Sequence, residues 1–204
     1  MKKILLVGGG GYVGSVLAQE LVERGYAVRI LDRFYFGRQG IEGIRDRVEI
    51  VEGDMRHPPP EIFGDVHTVV NIGGLSNDPT AEYNPKANHE MNTVATLTLA
   101  KLCQEHGVPR YLFASSCSIY DRGVADEERD VLLDETSEVD PRAAYSSSKY
   151  AAERELLAMA STNFTVVALR KGTLYGFSPR MRYDLVVNTF VKDALSRGDR
   201  KSVV

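Results

Sequence analysis

Lys3-Ile-Leu-Leu-Val-Gly-Gly-Gly-Gly-Tyr-Val-Gly14 is the stretch whose reading decides the fold. A short apolar run bounded by glycines suits a strand buried on both faces, and beyond the glycines Val13, Leu17 and Leu21 recur at helical spacing. The period therefore changes from strand to helix across one glycine-rich turn. Working outward, the same alternation continues: Ala27 to Leu31, Val48 to Val51, Val66 to Asn71, Arg110 to Ser115 and Phe164 to Arg170 read as five more strands. Met91, Val94, Ala95, Leu99 and Leu102 mark a helix before the fifth strand, and a further helix is expected from about Pro141 through Leu157, with Ala152, Leu156 and Met159 on one face. A last helix is expected from about Tyr183 to Arg197. Strands alternating with crossover helices build an α/β, doubly wound parallel sheet in three layers, with ligands beyond the carboxyl ends of the strands.

Composition bounds the function. The 204 residues are 26% charged and 43% hydrophobic with a net charge of −3, so one compact domain is expected, without the basic stripe that nucleic acid requires. The apolar run Ile4 to Val7 is too short for a signal peptide's core or a membrane span, which places the chain in the cytoplasm with no membrane partner. Cys103 and Cys117 lack the spacing of a zinc or redox pair and are read as reduced thiols; His57, His67, His89 and His106 are scattered, and no metal is expected.

The loop after the first strand holds Gly8, Gly11 and Gly14 at GxxGxxG spacing. Such glycines permit a tight turn, let backbone approach a pyrophosphate, and allow the following helix to aim its amino terminus at the phosphates. The second strand ends in Asp32, near the spacing at which a carboxylate meets an adenosine ribose, which favours NAD over NADP; the neighbouring Arg33 weakens that preference. After the third strand, Asp54 is read either as an acceptor for the adenine amino group or as a turn carboxylate. Tyr145 is followed four residues later by Lys149 on one helix face, and Phe113-Ala-Ser-Ser-Cys-Ser-Ile-Tyr120 sets hydroxyls at the end of the fifth strand. A phenol titrates near ~10 in water and serves as a base near neutrality only with a cation beside it, which Lys149 supplies.

With these pieces in order the chain resembles the extended short-chain dehydrogenase/reductase family, which includes NAD-dependent nucleotide-sugar epimerases and dehydratases built on the Rossmann fold. The matching segments are Val7 to Gly14, Asp32, Gly53-Asp54, Asn71-Ile-Gly-Gly-Leu-Ser76, Asn92, Ser115 to Tyr120, Tyr145 to Lys149, and Leu169 to Gly176. The resemblance implies Ser116, Tyr145 and Lys149 as the catalytic set. It implies a cofactor site of Gly8, Gly11, Tyr12, Val13, Gly14, Asp32, Arg33, Asp54, Met55, Gly73, Gly74, Ser76 and Asn92, completed by Tyr145 and Lys149. Asn77, Ser116, Thr173 and Asn188 fall on the substrate side. It also implies a nucleotide-sugar substrate and a homodimer packed through the helices after strands four and five.

Departures narrow the chemistry. Sugar 4,6-dehydratases carry an Asp-Glu pair after the active-site Thr, where this chain has Cys117 and Ser118. The 3,5-epimerases place a cysteine two residues before the closing tyrosine, where this chain has Ser118, so Cys117 is read as a small packed thiol. What remains is reversible oxidation and reduction: a 4-epimerase or an oxidoreductase, with a reductase of a non-sugar carbonyl and a non-catalytic dinucleotide-binding protein as alternatives. Residues 1–171 are expected to form the NAD-binding domain and 172–204 to begin a substrate-binding region. Family members usually continue well past this length, so the chain is expected to be a fragment or a shortened member.

Overall fold

The computed structural model describes residues 2–76, 78–120 and 132–197. Six strands, β1 (Lys3–Val7), β2 (Ala27–Asp32), β3 (Glu49–Glu52), β4 (Val66–Asn71), β5 (Arg110–Ser116) and β6 (Thr165–Lys171), form one parallel sheet in the order β3-β2-β1-β4-β5-β6. The helices are α1 (Tyr12–Glu23), α2 (Asp78–Tyr83), α3 (Pro85–His89), α4 (Ala95–Glu105), α5 (Ala144–Ala158) and α6 (Val186–Arg197). This is the doubly wound order of the Rossmann fold, in which the chain reverses direction between β1 and β4 and opens a crevice at their carboxyl ends.

Central β1 shows why its sequence is apolar from Ile4 to Val7. Leu5 and Val7 pack with Leu31, Phe113, Leu99 and Leu156 on the side of α4 and α5, whereas Leu6 packs with Ile30, Ala18 and Val22 on the side of α1. A strand covered on both faces has no position for a polar side chain. The turn that follows depends on bare backbone. Gly8 takes a φ of +86°, and a Cβ there would stand 2.8 Å from the backbone of Gly73. A Cβ on Gly14 would meet the Gly8 carbonyl oxygen at 2.1 Å, so only glycine lets α1 settle against the loop.

Several expected boundaries move. The chain between β2 and β3 forms a 3-10 helix over Gln39–Arg47 that the sequence reading did not anticipate; Ile41 and Ile44, three apart, share its buried face as a three-residue turn requires. The helix expected from Pro141 starts at Ala144, because Ala143 is extended and Glu82 of α2 accepts the Ala144 amide at 2.8 Å, supplying the missing cap. The last helix starts at Val186 rather than near Tyr183, and Arg182 is instead ion-paired with Asp184. Between α3 and α4 the helix widens into a π-turn over Glu90–Val94. No helix among the described residues is long and apolar enough to cross a membrane.

One buried ion pair ties α5 to the sheet. Glu153, 1% exposed, accepts bonds from Arg170 Nε at 2.9 Å and Nη2 at 2.6 Å, and from the Ser115 hydroxyl. Removing one member of such a pair strands the other in a poorly solvated site. Glu153→Ala is therefore expected to lower unfolding stability by about 3 kcal/mol or more in urea titration, and a loss below about 1 kcal/mol would show the pair to be dispensable.

Candidate active site

The crevice is a cleft of about 1170 Å³ lined by the loops after β1, β2, β4, β5 and β6. Its floor is the glycine turn. Gly11, the residue before α1, has no side-chain cap, so the first amides of the helix are left for a ligand in the cleft. Asp32 at the end of β2 accepts the Gly10 amide at 2.9 Å on one oxygen and the Phe34 amide at 2.7 Å on the other. Two backbone donors fix the carboxylate while leaving lone pairs for a diol. Bare backbone at Gly8 and Gly14, a helix terminus without a cap and an oriented Asp32 fit a dinucleotide's pyrophosphate and ribose.

At the other end stand the reactive side chains. Ser116 closes β5, and its Oγ lies 2.8 Å from Ser118 Oγ and accepts the Ser118 amide at 3.2 Å. Tyr145 and Lys149 occupy the first turns of α5, and all three residues line the cleft. Lys149 Nζ stands 4.9 Å from the Phe113 ring centroid and 5.9 Å from that of Tyr145. It also lies 3.8 Å from the Cβ position of Gly74. Burial pushes its pKa down to about 7, with a smaller push from nearby Lys171, whose own value is lowered by burial. A lysine so placed is held poised between amine and ammonium.

Gly8, Gly11, Tyr12, Val13, Gly14, Asp32, Arg33, Met55, Gly73, Gly74, Ser76 and Thr173 all line the same cleft. Three further expected residues have side chains engaged by protein partners. Asp54 sits between the cleft-lining Gly53 and Met55, where Arg56 donates to both of its oxygens and Arg33 pairs with it at 3.1 Å, holding its pKa low. Asn92, fully buried in the π-turn, does not reach the cleft: its side chain accepts from the Leu75 amide and donates to the Leu75 carbonyl, each at 2.9 Å, clasping the loop that carries Gly74 and Ser76. Asn188 on α6 is spent on the Gly176 amide, the Tyr12 hydroxyl and the Arg182 carbonyl. Asn77 lies outside the described residues. Cys117 is exposed on the cleft rim and not packed, because it falls on the 3-10 turn after β5; Cys103 is the buried thiol.

With the geometry established, the chain can be set beside known proteins. A family model described as the NAD dependent epimerase/dehydratase family matches residues 4–203. The chain belongs to that family. It is 28% identical over 198 residues to UDP-glucuronic acid decarboxylase 1 of Danio rerio, covering 95% of this chain and 46% of the relative. It is 32% identical over 161 residues to a UDP-glucose 4-epimerase of Rhizobium leguminosarum bv. trifolii, covering 75% of this chain and 46% of the relative. Among solved structures, MoeE5 in complex with UDP-glucose and NAD matches with a TM-score of 0.80 at 28% identity, over 97% of this chain and 62% of that one. The chain thus spans about half the length of the curated relatives it matches.

The structure also brings residues to the cleft that sequence reasoning missed. Lys171 is the last residue of β6, and the strand-end rule would have found it. Arg180, stacked 3.8 Å from the Phe36 ring centroid, and Arg182, donating to Ser76 Oγ at 2.8 Å, come from irregular chain with no periodic signal. The lowered pKa of Lys149 has a thermodynamic consequence. Between the folded value of about 7 and the ordinary 10.5 the unfolded chain binds the extra proton, so this lysine makes stability rise with pH across that window, and its penalty is fully present below it. Without ligand, Lys149→Met is expected to be more stable than wild type at pH 7, with the gap closing towards pH 10 in urea titrations; a gap independent of pH would refute the assignment.

Proposed function

We propose that this chain binds NAD and acts as a nucleotide-sugar epimerase or oxidoreductase, exchanging a hydride at a sugar carbon with Tyr145 as the base. The observation that carries the reading is that one cleft joins the glycine turn and Asp32 at one end to Ser116, Tyr145 and Lys149 at the other. The family membership and relatives that act on UDP-sugars support it.

NAD, when bound, supplies the reversible hydride acceptor that none of the side chains can provide. The helix α1 amino terminus and the glycine turn receive its pyrophosphate, and Asp32 accepts from the adenosine ribose hydroxyls, which disfavours a 2′-phosphate there. Tyr145, as the phenolate, takes the proton of the sugar hydroxyl as the carbon is oxidised, and returns it when the carbonyl is reduced. Lys149, as the ammonium, supports the phenolate by its charge. Ser116 donates a hydrogen bond to the same substrate oxygen and holds it in line. In an epimerase the keto sugar turns before reduction, with no net redox change.

A cytoplasmic location and a homodimer covering exposed Val94 and Leu157 beside the helices after β4 and β5 belong to the same reading. Tyr145→Phe removes only the phenolic oxygen. Turnover, followed by product analysis with UDP-, GDP-, CDP- and dTDP-sugars, is expected to fall by about 10²-fold or more, while the NAD-induced rise in thermal midpoint persists. Undiminished turnover would overturn the mechanism. Oxidation of NADH by simple ketones but no nucleotide sugar would identify a reductase of non-sugar carbonyls, and NAD binding without any turnover would identify a binding protein.

A further inference from the structure

Lys171 is a cation at the Ser116 end of the cleft that the proposed mechanism leaves unused. It ends β6, and the β5–β6 register sets it opposite Ser116. Facing residues of neighbouring parallel strands leave the sheet on the same side, with the strands about 4.8 Å apart. The Lys171 side chain therefore rises beside the hydroxyl assigned to the reacting oxygen, and both residues line the cleft.

The charges around it do not balance. Among the described residues, the carboxylates nearby are committed elsewhere: Glu153 to Arg170 and Ser115, Asp54 to Arg56 and Arg33, Asp184 to Arg182, and Asp32 to two backbone amides. Lys149 and Lys171 share their end of the cleft, and no carboxylate among the described residues pairs with either. Two lysines removed from water disfavour one another's charged forms, and the positive ring of an oxidised nicotinamide, when bound, would add to that repulsion. A phenolate at Tyr145 offsets one of these charges. The cofactor's diphosphate belongs to the glycine turn at the far end, and a sugar nucleotide's diphosphate lies on the side of the ring away from the oxidised carbon. A carboxylate carried by the sugar itself, in contrast, is within a few bonds of its ring hydroxyls.

We propose that Lys171 is a specificity residue that receives a carboxylate on the sugar, so that this site takes a nucleotide-linked uronic acid in preference to a neutral hexose. The inference rests on the nucleotide-sugar reading above. Burial that lowers the Lys171 pKa fits a group completed by its ligand, since an arriving carboxylate restores the ammonium. An ion pair formed in a desolvated cleft discriminates strongly, because a neutral competitor leaves the cation buried and unpaired.

The test is calorimetric titration of the NAD-loaded chain with UDP-glucuronate and with UDP-glucose, using wild type, Lys171→Gln and Lys171→Arg. Wild type is expected to favour the uronate by about tenfold or more, Lys171→Gln to bring the ratio of affinities close to one, and Lys171→Arg to keep most of the preference. The NAD-induced shift in thermal midpoint, read on each variant, reports that it is folded. A wild-type ratio near one, or a preference that survives in Lys171→Gln, overturns the inference while leaving the nucleotide-sugar reading in place. Binding of neither sugar nucleotide overturns that reading and this inference together.

Discussion

The contact on which the rest of the structure depends is the approach of α1 to the turn after β1. A Cβ on Gly14 would lie 2.1 Å from the Gly8 carbonyl oxygen, well inside any tolerable separation. Because that atom is missing, the Gly11 amide can bond the Gly8 carbonyl at 3.2 Å and the Ser15 amide the Gly11 carbonyl at 2.9 Å, and the helix begins against the sheet edge. The direction of α1 follows, and with it the aim of its unbonded amides into the crevice. The opposite wall is set by the same economy of atoms, since Gly8 also lets the β4 loop come within van der Waals distance at Gly73.

Stability and chemistry pull in opposite directions at the other end. Burying Lys149 without a carboxylate partner is unfavourable to the folded chain, and burial accordingly lowers its pKa. Glu153 shows how the fold treats a buried charge that serves structure instead: the carboxylate is surrounded by Arg170 and Ser115 and left with no capacity for a ligand. Two buried titratable groups on one helix, four residues apart, therefore have contrasting surroundings. The satisfied one anchors α5, and the unsatisfied one faces the cleft, as expected where a fold holds a group ready for a ligand.

The middle of the sheet was legible in the sequence because strands such as β1 are buried on both faces, where continuous apolar runs such as Leu5 to Val7 or Val69 to Val70 are at home. The glycine turn, Asp32 and the Tyr145/Lys149 spacing were legible for a related reason, since each follows directly from the geometry of a strand end or a helix turn. What the sequence does not carry is the direction of a side chain off irregular backbone. Asn92 and Asn188 have the chemistry of ligand-binding amides, yet both are turned inward to hold loops, and Asp54 is claimed by Arg56, two residues away. The 3-10 crossover escaped notice because Ile41 and Ile44 are too few to establish a period. Arg180 and Arg182 reach the cleft only through the path of the chain after β6, which no local pattern announces.

That path fastens the segment beyond β6 to the start of α1. The Tyr12 hydroxyl donates to the Gly176 carbonyl at 2.7 Å and accepts from Asn188 Nδ2 at 3.0 Å, while the Ser178 hydroxyl donates to the Tyr12 carbonyl at 2.7 Å beside Ser15. Tyr12 is the first residue of α1, so these bonds fasten the chain after β6 to the helix terminus that faces the cleft. Arg182 then reaches across to Ser76 on the β4 loop, the loop that Asn92 holds from behind. The crevice is thus closed into a ring of mutually bonded segments, which the Tyr12 hydroxyl helps to fasten. A group entering the cleft meets walls whose backbone positions are already set, and the cost of ordering them is met when the chain folds and not when the ligand arrives.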